Sequence, residues 1–182
     1  FCRLDYSFNE IAGKTLAIVG YGSLGKAVAD VARAFGANVI ISERKGQTPR
    51  EGRVSFNDAL SKADIISVHC PLTDETRNQI AAAELSMMKS SAIIINTARG
   101  GIINEADLAD ALANNVIAGA GVDVLSKEPA EQTNPLALYK GANLLLTPHI
   151  AWASQESIAR LVNEIALNIQ AFNQGEPRNR LV

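Results

Sequence analysis

Three glycines constrain this chain more than any other feature. Gly20-Tyr21-Gly22-Ser23-Leu24-Gly25 stands between the apolar run Thr15 to Gly20, which reads as a strand, and the stretch Ser23 to Phe35, which reads as a helix with apolar positions at Leu24, Val28, Val31 and Phe35. In that setting each glycine has its own task. The first permits a tight turn, the second lets backbone approach a pyrophosphate, and the third lets the helix pack closely on the strand, while the helix N-terminus offers unpaired N–H groups to the anion. A second strand, Asn38 to Ile41, completes a βαβ unit. Glu43 follows it, about 20 residues beyond the glycines, where an acidic side chain accepts from ribose hydroxyls. A glycine-rich turn without function explains the glycines, but not the strand, helix and acid around them.

The rest of the chain repeats this rhythm. Asp64 to Val68, Ala92 to Asn96, Ala118 to Val122 and Asn143 to Leu146 are short runs rich in Ile, Val and Leu, as strands buried on both faces require. Helices fit between most of them, including Glu105 to Ala113, with Asn104 as its expected N-cap and Glu105 and Asp107 favouring its dipole. The expected fold is a Rossmann-type, doubly wound parallel α/β sheet spanning residues 15–152. The final segment, Gln155 to Asn173, carries more apolar positions than a one-sided surface helix needs, so packing against two neighbours is expected.

Composition closes other routes. Of the 182 residues 47% are apolar and 20% charged, enough to close a core. A formal net charge of −2 supplies no basic field for nucleic acid. No apolar run approaches the roughly 20 residues that cross a bilayer, so no membrane partner is expected. Cys2 and Cys70 have no metal-ligand or redox spacing, which points to no metal and to a reducing, cytoplasmic setting.

Candidate catalytic residues follow three of the predicted strands, at the sheet edge where open α/β folds bind ligands. Arg99, before Gly100 and Gly101, offers a fork suited to a carboxylate or a carbonyl oxygen; a loop ion pair is the plain alternative. His149 offers proton transfer near neutral pH, although a lone histidine is more often structural. Glu128 lies in the loop after Val122, where a carboxylate against one imidazole nitrogen favours the protonated ring; an exposed loop glutamate is the alternative. His69 ends a strand without a partner in view and is read as structural.

These residues fall within longer stretches, among them Pro71-Leu72-Thr73-Asp74-Glu75-Thr76, Asn96-Thr97-Ala98-Arg99-Gly100-Gly101, Gly121-Val122-Asp123-Val124, Glu128-Pro129 and Thr147-Pro148-His149-Ile150-Ala151-Trp152. With the glycine loop, they make the chain resemble the nucleotide-binding half of the D-isomer-specific 2-hydroxyacid dehydrogenases, over nearly its whole length. Trp152 after His149 is most similar to the glycerate dehydrogenase (hydroxypyruvate reductase) subgroup; core packing is the alternative for a lone aromatic.

The resemblance implies hydride transfer between NAD(H) and a small 2-oxo acid, hydroxypyruvate or glyoxylate. Arg99 holds the substrate's carboxylate and carbonyl, His149 protonates the carbonyl oxygen, Glu128 orients and acidifies His149, and Trp152 adjoins the substrate. The cofactor site takes in Gly20, Gly22, Ser23, Leu24, Gly25, Glu43, Arg44, Cys70, Pro71, Leu72, Thr76, Thr97, Ala98, Arg99, Asp123 and His149, with Asp123 at the nicotinamide carboxamide. Glu43 favours NAD over NADP, although Arg44 and Lys45 could attract a 2′-phosphate. Further implications are a homodimer, and a fragment in which residues 1–14 end a preceding hinge or substrate domain, largely absent, to which 153–182 return. The same family holds corepressors that use the dinucleotide-bound fold to bind partners, and phosphoglycerate, formate and phosphite dehydrogenases on the same scaffold.

Overall fold

The computed structural model describes residues 8–181; Cys2 and the first half of the expected N-terminal tail lie outside the described residues. The chain divides into two compact units after Pro148. The first is built on one sheet of six parallel strands, β1 (Thr15–Val19), β2 (Asn38–Ser42), β3 (Ile65–Val68), β4 (Ile93–Asn96), β5 (Gly119–Val122) and β6 (Leu144–Leu146), in the order β2-β1-β3-β4-β5-β6. The order reverses at β1, so connections leave in opposite directions from the β1/β3 pair and open a crevice there. All six expected strands form, and β1 stops at Val19 because Gly20 turns the chain away with φ 99°.

The register aligns the strand ends. Ser42, Val19, Val68, Asn96, Val122 and Leu146 pair in one row across the sheet. Glu43, Gly20, His69, Thr97, Asp123 and Thr147 therefore all leave the sheet along a single carboxyl edge.

Alternation along β1 feeds two cores. Ala17 and Val19 face a large cluster with Ile66, Val68 and Ile94 and with Phe56 and Leu60 of α2 (Phe56–Lys62), Leu85 of α3 (Ala82–Met87) and Leu108 and Leu112 of α4 (Glu105–Ala113). Leu136 of the short α5 (Pro135–Leu138) joins them. Ser55 and Asn104 cap α2 and α4 by accepting from the N–H groups of Asp58 and Asp107, the latter as the sequence predicts.

Leu16 and Ile18 face the opposite way, with Ile41, onto α1 (Ser23–Ala34). Here, of the four apolar positions read from the sequence, Val28 alone joins the contact. Gly25 and Ala29 are buried with Val28 and Ala32 packed beside them, whereas Leu24, Val31 and Phe35 are exposed. A helix seated this close to a strand turns its smallest residues inward, so the large ones are left on the far side. The second face is also covered unevenly: Ile93 in β4 and Leu145 in β6 remain exposed, so the two-sided burial expected of these strands is incomplete among the described residues.

The second unit consists of α6 (Gln155–Asn173), capped by Ser154, and a tail that folds back along it. Arg178 pairs with Glu164 at 2.8 Å, and Asn179 donates to Asn168 at 2.9 Å. Ile158, Leu161, Val162, Ile165, Ile169 and Phe172 stay exposed, so the second unit by itself does not supply the two neighbours expected for this helix. Among the described residues, no helix is long and apolar enough to cross a membrane.

Candidate active site

The glycine loop has the geometry of a cradle. A Cβ on Gly20 would stand 2.4 Å from the Cys70 nitrogen, and one on Gly25 would stand 2.2 Å from the Gly20 carbonyl oxygen. A Cβ on Gly22 would meet nothing within 4 Å. The outer two glycines are thus needed for packing, and the middle one leaves backbone open to the crevice. No side chain caps α1, and its first turn holds no acid. Its N-terminal N–H groups and dipole are left for an anion, which is how such a loop takes a pyrophosphate.

Beside the loop lies a cavity of about 420 Å³, lined among others by Gly20, Gly22, Glu43, Arg44, His69 and Cys70. Pro71 and Thr76, also on its wall, belong to a turn in which Thr76 Oγ1 donates to the Pro71 carbonyl at 2.7 Å. Gln79 donates to Cys70 Sγ at 3.0 Å, and burial pushes this thiol up, so it stays protonated and unreactive. His69 Nε2 lies 2.8 Å from Ser67 Oγ, and burial holds the imidazole below its ordinary value, so the ring is neutral at pH 7.

Glu43 stands at the expected strand end, but it is not an open acceptor. Arg50 grips it through both oxygens, with Nε 2.6 Å from Oε2 and Nη2 2.6 Å from Oε1. The Arg44 N–H donates to Oε1 at 2.9 Å, and Arg53 lies 3.6 Å away. The fork of Arg50 and the Arg44 N–H hold the Glu43 carboxyl well below the usual carboxylate range. Lys45 is drawn aside to Glu84 at 2.8 Å. The sequence reading missed Arg50 and Arg53, because no motif spacing ties a cation several residues along a turn-rich loop to the preceding acid.

Ser23, Leu24 and Gly25 in the first turn of α1 and Leu72 beside Pro71 do not line this cavity, and neither do Thr97, Ala98, Arg99 and Asp123, which lie further along the edge. Two loops there are locked together. Buried Asn96 donates to the Arg99 carbonyl at 2.9 Å and accepts from Ala98 N at 3.0 Å, shaping the turn that presents Arg99. Arg99 is exposed, with Nη1 2.6 Å from the Ala98 carbonyl. Gly100 presses onto the Leu125–Ser126 backbone, and Glu128 Oε1 accepts from Leu125 N at 2.9 Å. Glu105, read from the sequence only as a dipole partner, also fastens this loop: its carboxylate accepts from Ser126 N, from Ser126 Oγ and from Asn134 Nδ2. Asp123 is buried and accepts from Thr147 Oγ1 at 2.6 Å. His149 opens the second unit in a left-handed conformation, φ 53°, and Trp152 after it is exposed.

Residues 2–151 match the family described as D-isomer specific 2-hydroxyacid dehydrogenase, NAD binding domain. The chain belongs to this family. Its dehydrogenase relatives include the glycerate dehydrogenase of Methylorubrum extorquens, 45% identical over 98% of this chain and 56% of the relative. The hydroxypyruvate reductase of Blautia hydrogenotrophica is 38% identical over 98% and 56%. Among solved structures, D-lactate dehydrogenase with NAD+ from Lactobacillus jensenii superposes with a TM-score of 0.85 at 30% identity, covering 100% of this chain and 59% of its own. The chain spans little more than half the length of these dehydrogenases. The Rossmann-type doubly wound sheet and the NAD-binding role expected from the glycine loop both hold. Among the described residues, no group of three or more His, Cys, Asp or Glu could hold a metal ion.

Proposed function

We propose that the full-length protein reversibly transfers a hydride between NAD(H) and a small 2-hydroxy or 2-oxo acid, reducing hydroxypyruvate to D-glycerate or glyoxylate to glycolate. The observation that carries this reading is the packing of the Arg99 turn onto the Glu128 loop at the carboxyl edge of the sheet that bears the dinucleotide cradle. The names of the Methylorubrum and Blautia relatives favour hydroxypyruvate and glycerate.

The cofactor, when bound, supplies or accepts the hydride; the protein supplies orientation and charge. Arg99 pairs its fork with the substrate carboxylate and polarises the carbonyl, a geometry that a point charge does not offer. His149 gives a proton to the carbonyl oxygen as the alkoxide develops and takes it back in the reverse direction. Glu128 favours the protonated imidazole, and Trp152 borders the substrate. Asp123, held by Thr147, receives the nicotinamide carboxamide. The same reading makes the protein a cytoplasmic homodimer, two-fold association being the commonest closed arrangement.

Steady-state kinetics on the full-length protein test this. His149→Gln should lower kcat by about 10² to 10⁴-fold with NADH affinity unchanged. Arg99→Lys should raise KM for the 2-oxo acid and lower kcat together. A wild-type protein that binds NADH but reduces neither hydroxypyruvate nor glyoxylate would instead favour the corepressor-like use of this fold.

A further inference from the structure

The Glu43 side chain is only 2% exposed, while that of Arg50, which covers it, is 61% exposed. A ligand entering this end of the cavity therefore meets the guanidinium before the carboxylate. The acceptor capacity of Glu43 is also largely spent. A carboxylate offers about four lone-pair directions, and these oxygens already take Arg50 Nε, Arg50 Nη2 and Arg44 N, with Arg50 N at 3.3 Å as a fourth donor.

The local charge runs the same way. Arg44, Lys45, Arg50 and Arg53 line the cavity close to Glu43. Lys45 is paired to Glu84, and Arg50 and Arg53 share the single carboxylate of Glu43, so with Arg44 the cations here outnumber the nearby carboxylates by two, although Glu75 stands elsewhere on the wall. Arg50 is not required to bring this loop back to the sheet. That return is made by backbone, with Glu43 N donating to the Val54 carbonyl at 2.8 Å and Val54 N to Ile41 at 2.9 Å.

We propose that Arg50 is a specificity-determining residue that opens this site to the 2′-phosphorylated dinucleotide, by masking the Glu43 carboxylate and presenting, with Arg44, a cationic seat for the phosphate. An unmasked acid at this position accepts from ribose hydroxyls and repels a 2′-phosphate. Arg50 cancels the repulsion, and with one Nε and one Nη2 hydrogen on Glu43 its other N–H groups, on the exposed side of the guanidinium, remain to donate to phosphate oxygens. The inference rests on the dinucleotide site described above and makes the protein a user of both NADH and NADPH.

Fluorescence titration of the full-length protein with NADH and NADPH decides it, without turnover. The wild type should bind the two with dissociation constants within about tenfold. Arg50→Gln should shift their ratio toward NADH by at least about tenfold, mostly through weaker NADPH binding, and Arg50→Lys should shift it less because charge remains. Calorimetry of the wild type with 2′,5′-ADP and 5′-AMP removes dependence on the variants' folding, and 2′,5′-ADP should bind at least as tightly. A ratio unmoved by Arg50→Gln, or weaker binding of 2′,5′-ADP than of 5′-AMP, overturns the proposal while leaving the NAD site in place. Binding of neither dinucleotide overturns both.

Discussion

A Cβ placed on Gly100 would lie 1.9 Å from the carbonyl carbon of Leu125 and 2.0 Å from its oxygen. The constraint is space, not backbone angle, since Gly101 beside it has the left-handed φ of 77° and Gly100 does not. This contact joins the two loops that carry Arg99 and Glu128, so its geometry sets how far apart those side chains start.

Gly100→Ala should therefore cost stability and activity together. Backbone cannot swing aside as a flexible side chain can, and forcing a methyl into a packed contact typically costs about 1 to 3 kcal/mol. Thermal unfolding of the variant should show a lowered Tm, and its kcat/KM for the 2-oxo acid should fall further than its NADH affinity. An unchanged Tm would mean that the loops separate freely.

The glycine loop separates packing from binding. Gly20→Ala places a methyl 2.4 Å from the Cys70 nitrogen on a residue with φ 99°, so it should impair folding. Gly22→Ala adds its methyl to open space and should leave Tm within about 1 °C of the wild type. Its NADH affinity should nevertheless drop at least about tenfold, because the methyl occupies the approach of the pyrophosphate. Unfolding curves beside NADH titrations check both, and a Gly22→Ala protein with full affinity would remove this glycine from the site.

The sheet is legible in the sequence because strands of a parallel sheet need near-continuous apolar runs, and Ile65 to Val68, interrupted only by Ser67, Ile93 to Ile95 and Leu144 to Leu146 have little other use. The short helices α2, α3 and α5 hold seven, six and four residues. That is too few turns for a 3.6-residue period to show, so only tertiary packing fixes them. Helix α1 misleads for a different reason. Its large apolar residues Leu24, Val31 and Phe35 carry the periodic signal, but distance to the sheet selects Gly25 and Ala29 for burial. Arg99, Glu128 and His149 stand out as polar groups after strand runs. The grip of Arg50 on Glu43, the press of Gly100 on Leu125 and the fastening of Ser126 by Glu105 depend on loop paths that no local pattern encodes.

Acid should destabilise the fold in two stages, because one histidine and several carboxyl groups, Asp58 and Glu84 among them, bind protons less readily folded than unfolded. Burial lowers His69 from its ordinary 6.5, the Arg50 fork lowers Glu43 from 4.5, and Lys89 with the Thr15 N–H lowers Asp64 from 3.8. In each case the unfolded chain takes up the proton first as pH falls, so stability is full above the unfolded value and is lost as pH drops through the folded one. Chemical denaturation of the full-length protein should show a shallow decline starting near pH 6.5, from His69, that steepens below about pH 4.5 as Glu43 and Asp64 enter. His69→Gln should remove the shallow limb and leave the steep one, whereas Glu43→Gln should reduce the slope of the steep limb, to which Asp64 still contributes, and leave the shallow one. If the steep limb kept its full slope in Glu43→Gln, the Arg50 pairing would contribute nothing to the fold in solution, and the masking of Glu43 would be lost with it.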